Sequence, residues 1–194
     1  MVTHTMSLEQ WAGANSQVVL AVCFTDISAS TILNSRLGDE AMSEVRDAHF
    51  THARMLSKQY DGYLVKKLGD GLLVAFHAAT NALDFMLSLR ANTGHELVEI
   101  HAGIDVGPVL IEDDDIYGSV VNYAARLEGE AKRGEIFVST TVKSHIDVFR
   151  AKRHAELKWA KHIRKPQGFG KGWVWSVTYE LVAADALENT PQQS

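Results

Sequence analysis

The chain has 194 residues, 46% of them apolar and 22% charged, enough for one domain with a substantial core. A formal charge of −5 excludes nucleic-acid binding through general basicity, and a lone cysteine, Cys23, excludes a disulfide within one chain. The start carries no basic segment followed by an apolar one, and no apolar run approaches the ~18 residues of a spanning helix, so a cytoplasmic protein with no membrane partner is expected.

Residues 1–17 are polar and read as an irregular arm onto which Trp11 docks. The run from Val18 to Asp26 reads as a strand, apolar on both faces as a covered central strand is. A helix begins in the following ISASTILNSRLGDE, with Ser28 or Ser30 as its cap. A longer helix covers about 39–59, its apolar positions (Met42, Val45, Phe50, Ala53) following the helical period. Asp61-Gly62 stops it, and 63–76 reads as a β-hairpin with Gly69-Asp70-Gly71 at its tip. A helix from about 78 to 92 buries Ala82, Phe85, Met86 and Leu89.

Residues 97–111 read as two strands joined by a turn at Gly107-Pro108. The acidic tract Glu112 to Asp115 then leads into a helix ending near Gly134. A short strand (EIFVS), a short helix (TTVKSHIDVF), an ambiguous stretch at 150–160 and a last strand (WVWSVTYELV) follow, before a polar tail at 183–194. This order fits an α+β, ferredoxin-like (palm-type) core with small C-terminal additions, and one domain over 18–182.

Two carboxylates stand at strand ends, Asp26 after the first strand and Asp70 on the hairpin tip. Such a pair, with the backbone carbonyl that follows the first, can hold two hard divalent cations for phosphoryl chemistry. Taken singly, each aspartate reads first as a turn or helix cap, and the pair in this context is what favours the cation reading. Asn122 and Arg126 are four apart and share one helical face. An amide there can orient a ribose and a guanidinium can grip phosphate; the plainer alternative pairs Arg126 with Glu130 on the helix surface. Seven of the nine histidines (His49, His52, His77, His101, His145, His154, His162) are scattered and read as background.

Together the motifs FTDI, KKLGDG and DIYGSVVNYAARL, in this order between residues 24 and 127, resemble the signature blocks of the class III nucleotidyl cyclase catalytic domain. The resemblance implies that Asp26, Asp70 and the carbonyl of Ile27 hold two divalent cations, Mn²⁺ or Mg²⁺. Asn122 would place the ribose and Arg126 would stabilise charge on the α-phosphate, while Lys171, Ser30 and Thr31 would contact the triphosphate. It also implies a head-to-tail homodimer with shared active sites, in which the ribose 3′-oxygen attacks the α-phosphate and expels pyrophosphate.

Lys66 and Asp115 resemble the family's base-reading pair, a combination that accompanies ATP. A donor beside an acceptor fits adenine, cytosine and uracil alike, so pocket size decides among them. Two features pull away from an adenylate cyclase. Ala29-Ser30-Thr31 stands where the family has Gly-Phe-Thr. The chain as given also resembles, in its form, the stand-alone pyrimidine cyclases of bacterial anti-phage signalling. The expectation is therefore UTP to cyclic UMP first, CTP next, with ATP as the alternative. The rival of another class is an inactive cyclase-like regulatory subunit, which would lack one of Asp26, Asp70, Asn122 or Arg126. A diguanylate cyclase would need a G-G-[DE]-E-F hairpin, which is absent.

Overall fold

A computed structural model describes residues 6–13, 17–149, 155–164, 166, 168–170 and 172–181. One eight-stranded sheet organises them: β1 (Gln17–Ile27), β2 (Gly62–Leu68), β3 (Gly71–Phe76), β4 (Ile100–Glu112), β5 (Asp115–Tyr117), β6 (Ile136–Ser139), β7 (Ala155–Arg164) and β8 (Gly172–Leu181). The spatial order is β2-β3-β1-β4-β6-β8-β7, with β5 paired to β4. All pairs are antiparallel except β4–β6, which are joined by a helical crossover.

The helices are α1 (Leu8–Ala12), α2 (Ser30–Leu37), α3 (Asp39–Gln59), α4 (Ala79–Ala91), α5 (Ser119–Glu130) and α6 (Thr140–Phe149). β1 is covered on both faces, and its alternation divides the core. Ala21, Cys23 and Ile27 pack with α3, α4 and α6, whereas Leu20 and Val22 pack with α1 and α5. The result is the palm-type α+β fold expected. Among the described residues, no helix is long and apolar enough to cross a membrane.

Several elements differ from the sequence reading. The segment expected to turn at Gly107-Pro108 is one continuous strand, pairing with β1 from Ile100 to Leu110. Proline is tolerated there because β6 pairs with β4 only at Ala102–Ile104 and β5 only at Leu110–Glu112, leaving no ladder partner at Pro108 on that side. The acidic tract is a tight turn, with Asp113 and Asp114 both in the left-handed region (φ 52° and 57°), and it reverses the chain into β5.

The arm contains a capped helical turn, α1, in which the Ser7 side chain accepts from the Gln10 amide. Trp11 stacks on His77 with ring centroids 4.2 Å apart. Neither Ser28 nor Ser30 caps α2. Its N-cap is Ala29, at φ 56° and without a side-chain bond. The ambiguous stretch near 155–160 is part of β7, paired along β8. Residues 1–5 and the tail 183–194 lie outside the described residues.

Helix α5 rests on β4 with no room to spare. A Cβ added at Gly103 would lie 2.3 Å from both the Ala124 carbonyl oxygen and the Glu128 nitrogen. Gly103→Ala is therefore expected to destabilise the protein by about 1–3 kcal/mol, the usual cost of overpacking. Urea denaturation checks this, and an unchanged midpoint would contradict the close docking.

Candidate active site

The hairpin tip is brought to the end of β1 by strand pairing. Thr25 sits opposite Leu72, so Asp26 comes level with Gly71. A Cβ at Gly71 would meet the Thr25 carbonyl at 2.7 Å and Asp26 Oδ1 at 3.2 Å, so only glycine allows this approach. Asp26 and Asp70 thereby become electrostatic neighbours.

Burial foremost, then the charges of Glu128 and Asp70, pushes the Asp26 carboxyl above the usual carboxylate range. His101 and the Ile27 N–H, which donates to the carboxylate, oppose this rise. Arg46 of α3 donates through Nη1 to Asp70 Oδ1 at 3.1 Å. A group of acids whose own field resists ionisation suits a cation, so the donor set fits the divalent metals expected. The Ile27 side chain is buried under α3 and α4, which fixes the backbone beside Asp26.

Lys66 and Asp115, 49 residues apart in sequence, form a direct ion pair between β2 and β5. A register shift in β2 between Leu64 and Lys66, and the turn into β5, aim the two side chains at each other. Asp115 also accepts from the Ile116 N–H at 2.9 Å. Asn122 and Arg126 are both exposed on α5, opposite its buried Val120, Ala124 and Leu127. Glu130 faces Arg164 at 3.9 Å, and among the described residues Arg126 has no ion-pair partner. Ser30 begins α2, and Thr31 is exposed in its first turn, where amide N–H groups lack helical partners. Lys171 lies outside the described residues.

Two site residues were missed in the sequence. His101 is the cross-strand partner of Asp26, and its Nε2 lies 2.7 Å from Glu128 Oε1. Its Nδ1 lies 3.1 Å from Ser28 Oγ. The hydrogen bond to Glu128 raises the His101 proton affinity despite burial. Only the β1–β4 register could have found His101, and only the position of Gly103 under α5 could have found Glu128. Cys23 is fully buried, and burial pushes its thiol up, so it is no nucleophile.

Fold and site together define a palm-type nucleotide domain. A family model, the adenylate and guanylate cyclase catalytic domain, matches residues 14–165, and the chain belongs to this family. An adenylate cyclase of Streptomyces coelicolor is 34% identical over 134 residues, 66% of this chain and 35% of that protein. The chain thus spans about a third of that relative's length. Among solved structures, the catalytic core of a rhodopsin-guanylyl cyclase with converted specificity, in complex with ATPalphaS, superposes with a TM-score of 0.71. It is 25% identical and covers 83% of this chain and 96% of its own. The adenylyl cyclase CyaB from P. aeruginosa reaches 0.73 at 22% identity, covering 84% and 94%, a likeness of fold alone.

Asp105 is buried and lines, with Ser119 and Tyr123, a cleft of about 410 Å³. Burial lifts its carboxyl above the usual range, while Ser139 and the Val106 N–H hold it down. The folded state thus binds this proton more tightly than the unfolded chain. Its contribution to stability falls as pH rises from the unfolded carboxylate value of about 3.9 through the higher folded value. Asp105→Asn removes that penalty, so its Tm gain over the parent should be larger at neutral pH than at about pH 3.5. A gain that does not grow with pH would contradict the assignment.

Proposed function

We propose that two copies of this chain pair head-to-tail and convert a nucleoside triphosphate into its 3′,5′-cyclic nucleotide and pyrophosphate at shared sites. The observation that carries the reading is that one chain holds both sets of residues. Asp26 and Asp70 are electrostatic neighbours, and Asn122 and Arg126 are exposed on the face of α5 opposite its buried residues, open to a second copy. A second copy would bring its Asn122 and Arg126 to the first copy's aspartates.

In this reading Asp26, Asp70 and the Ile27 carbonyl hold two divalent cations, Mn²⁺ or Mg²⁺, which neutralise the triphosphate and lower the barrier to in-line displacement. Asn122 orients the ribose so that its 3′-oxygen lies behind the α-phosphorus. Arg126 donates to the α-phosphoryl oxygens as charge builds on them. The 3′-hydroxyl gives up its proton to solvent, the bond from the 3′-oxygen to phosphorus forms as the bond to the bridging oxygen breaks, and pyrophosphate leaves. Ser30, Thr31 and the first-turn amides of α2 meet the triphosphate, joined by Lys171 from the chain between β7 and β8.

The Lys66–Asp115 pair reads the base edge. Its donor and acceptor can meet the edges of uracil, cytosine, adenine and guanine alike, so pocket size decides among them. GTP is ranked last because the Lys/Asp combination accompanies ATP in the family, where a Glu at the lysine position accompanies GTP. A pyrimidine is the first reading, UTP ahead of CTP. Ala29-Ser30, which stands in place of the family's Gly-Phe beside the triphosphate, sets this pocket apart from that of an adenylate cyclase, with Ala29 in a left-handed conformation. The cyclic pyrimidine would then act as a second messenger in anti-phage signalling inside the cell, as the resemblance implies. Cyclic AMP synthesis is the second reading, favoured by a relative that bears the adenylate cyclase name.

Incubation of the protein with Mn²⁺ and each of ATP, GTP, CTP and UTP, with products identified by mass spectrometry, tests this directly. Cyclic UMP as the main product is expected. Cyclic AMP alone would replace the first reading by the second, and no cyclic product from any of the four would overturn the enzyme. Asp70→Ala should lower kcat by at least about 100-fold, the scale for losing one preorganised electrostatic group. Its Tm should stay close to the parent's, because a turn carboxylate packs against little. Near-parental turnover would refute the metal assignment.

A further inference from the structure

We infer that Asp26, His101 and Glu128 form a binding site for a first-row transition cation, Zn²⁺ or Co²⁺ in type, and that its occupation switches the enzyme off. Each residue offers one ligand atom, and the three atoms lie within 4.8 Å of one another. They come from three elements whose mutual placement is fixed. Asp26 and His101 face each other across the β1–β4 ladder, and Glu128 is brought down by the docking of α5 at Gly103.

Bonds of about 2.1 Å to a tetrahedral cation set its ligands about 3.4 Å apart. Side-chain rotation alone therefore closes the site. The 2.7 Å His101–Glu128 contact opens slightly, and the Asp26 carboxylate moves in. The imidazole is already oriented as a ligand. Its Nδ1 is anchored to Ser28 Oγ at 3.1 Å, leaving Nε2 aimed at the acids, the outer-shell arrangement that metal-binding histidines carry.

The donor set decides the class of cation. One imidazole nitrogen with two carboxylates suits Zn²⁺ or Co²⁺, whereas Mg²⁺ prefers oxygen alone and keeps its waters. The charge also favours occupation. Glu128 and Asp70 both press on Asp26, with His101 as the opposing side chain. Binding rests on this geometry by itself. Inhibition rests on the proposed role of Asp26, since a carboxylate drawn towards His101 and Glu128 is withdrawn from Asp70. The two sites share the Asp26 carboxylate and compete for it.

The test is direct binding of Co²⁺, read by visible absorption and by proton NMR, on the full chain carrying Asp70→Asn, which breaks the Asp26–Asp70 pair. One equivalent of Co²⁺ per chain is expected, displaced by Zn²⁺ but not by Mg²⁺. A single strongly shifted imidazole N–H resonance should accompany it, from the Nδ1 proton held at Ser28. Adding His101→Gln should abolish that resonance. His101→Gln and Glu128→Gln should each weaken binding by about tenfold or more.

Equal Co²⁺ affinity in both added variants would overturn the site. So would the absence of a shifted imidazole resonance in the Asp70→Asn protein, a result that stands even if His101→Gln fails to fold. In the parent protein, Zn²⁺ should suppress Mg²⁺-supported turnover, and Glu128→Gln should shift that inhibition to at least about tenfold higher Zn²⁺. A cyclase reading that is itself wrong gives no cyclic product with any nucleotide, whatever Co²⁺ does.

Discussion

At Gly103 the backbone of α5 lies directly on β4, and the placement of Asn122, Arg126 and Glu128 on that helix follows from this contact. The missing Cβ lets Ala124 and Leu127 reach the sheet, where both are fully buried. Burial on that side leaves Asn122 and Arg126 to face outwards. Glu128, two residues beyond Arg126 and on the far side of the helix, is turned in towards His101. A second glycine contact acts in the same way at the other end of the site. Gly71 allows the hairpin to close on Thr25, and so delivers Asp70 to Asp26. Two absent side chains thus set the positions of the charged ones.

The electrostatics follow from that geometry. Acidic groups from β1, the hairpin tip and α5 gather near the end of β1, against His101 and the more peripheral Arg46. Their mutual repulsion and partial burial keep Asp26 reluctant to ionise, which a cation would reverse. Lys66 and Asp115, by contrast, satisfy each other across β2 and β5. The surface pair itself contributes little to stability.

The hairpin, the first strand and the helices at 39–59 and 79–91 were legible because their signals are local: apolar runs, helical periodicity and a Gly-Asp-Gly tip. β5, the unbroken β4 and β7 were not. Pro108 breaks a strand only where its missing N–H is needed, and that depends on which neighbours pair with β4. Asp113 and Asp114 signal a turn, but a three-residue strand after it owes its existence to β4. The same division runs through the site. Asp26, Asp70, Lys66 and Asp115 sit in motifs whose spacing carries meaning. His101 and Glu128 acquire theirs only from a register and a docking contact.

The central claim is that the two half-sites of one chain serve different active sites. Mixing Asp26→Ala protein with Arg126→Ala protein measures this most directly. Each variant alone should be inactive, since each spoils both sites of its own homodimer. A mixed dimer keeps one site intact, so cyclic nucleotide synthesis should return, to about a quarter of the parental rate for random exchange of equal amounts. No recovery, with mixed dimers demonstrated by mass spectrometry, would contradict the shared site.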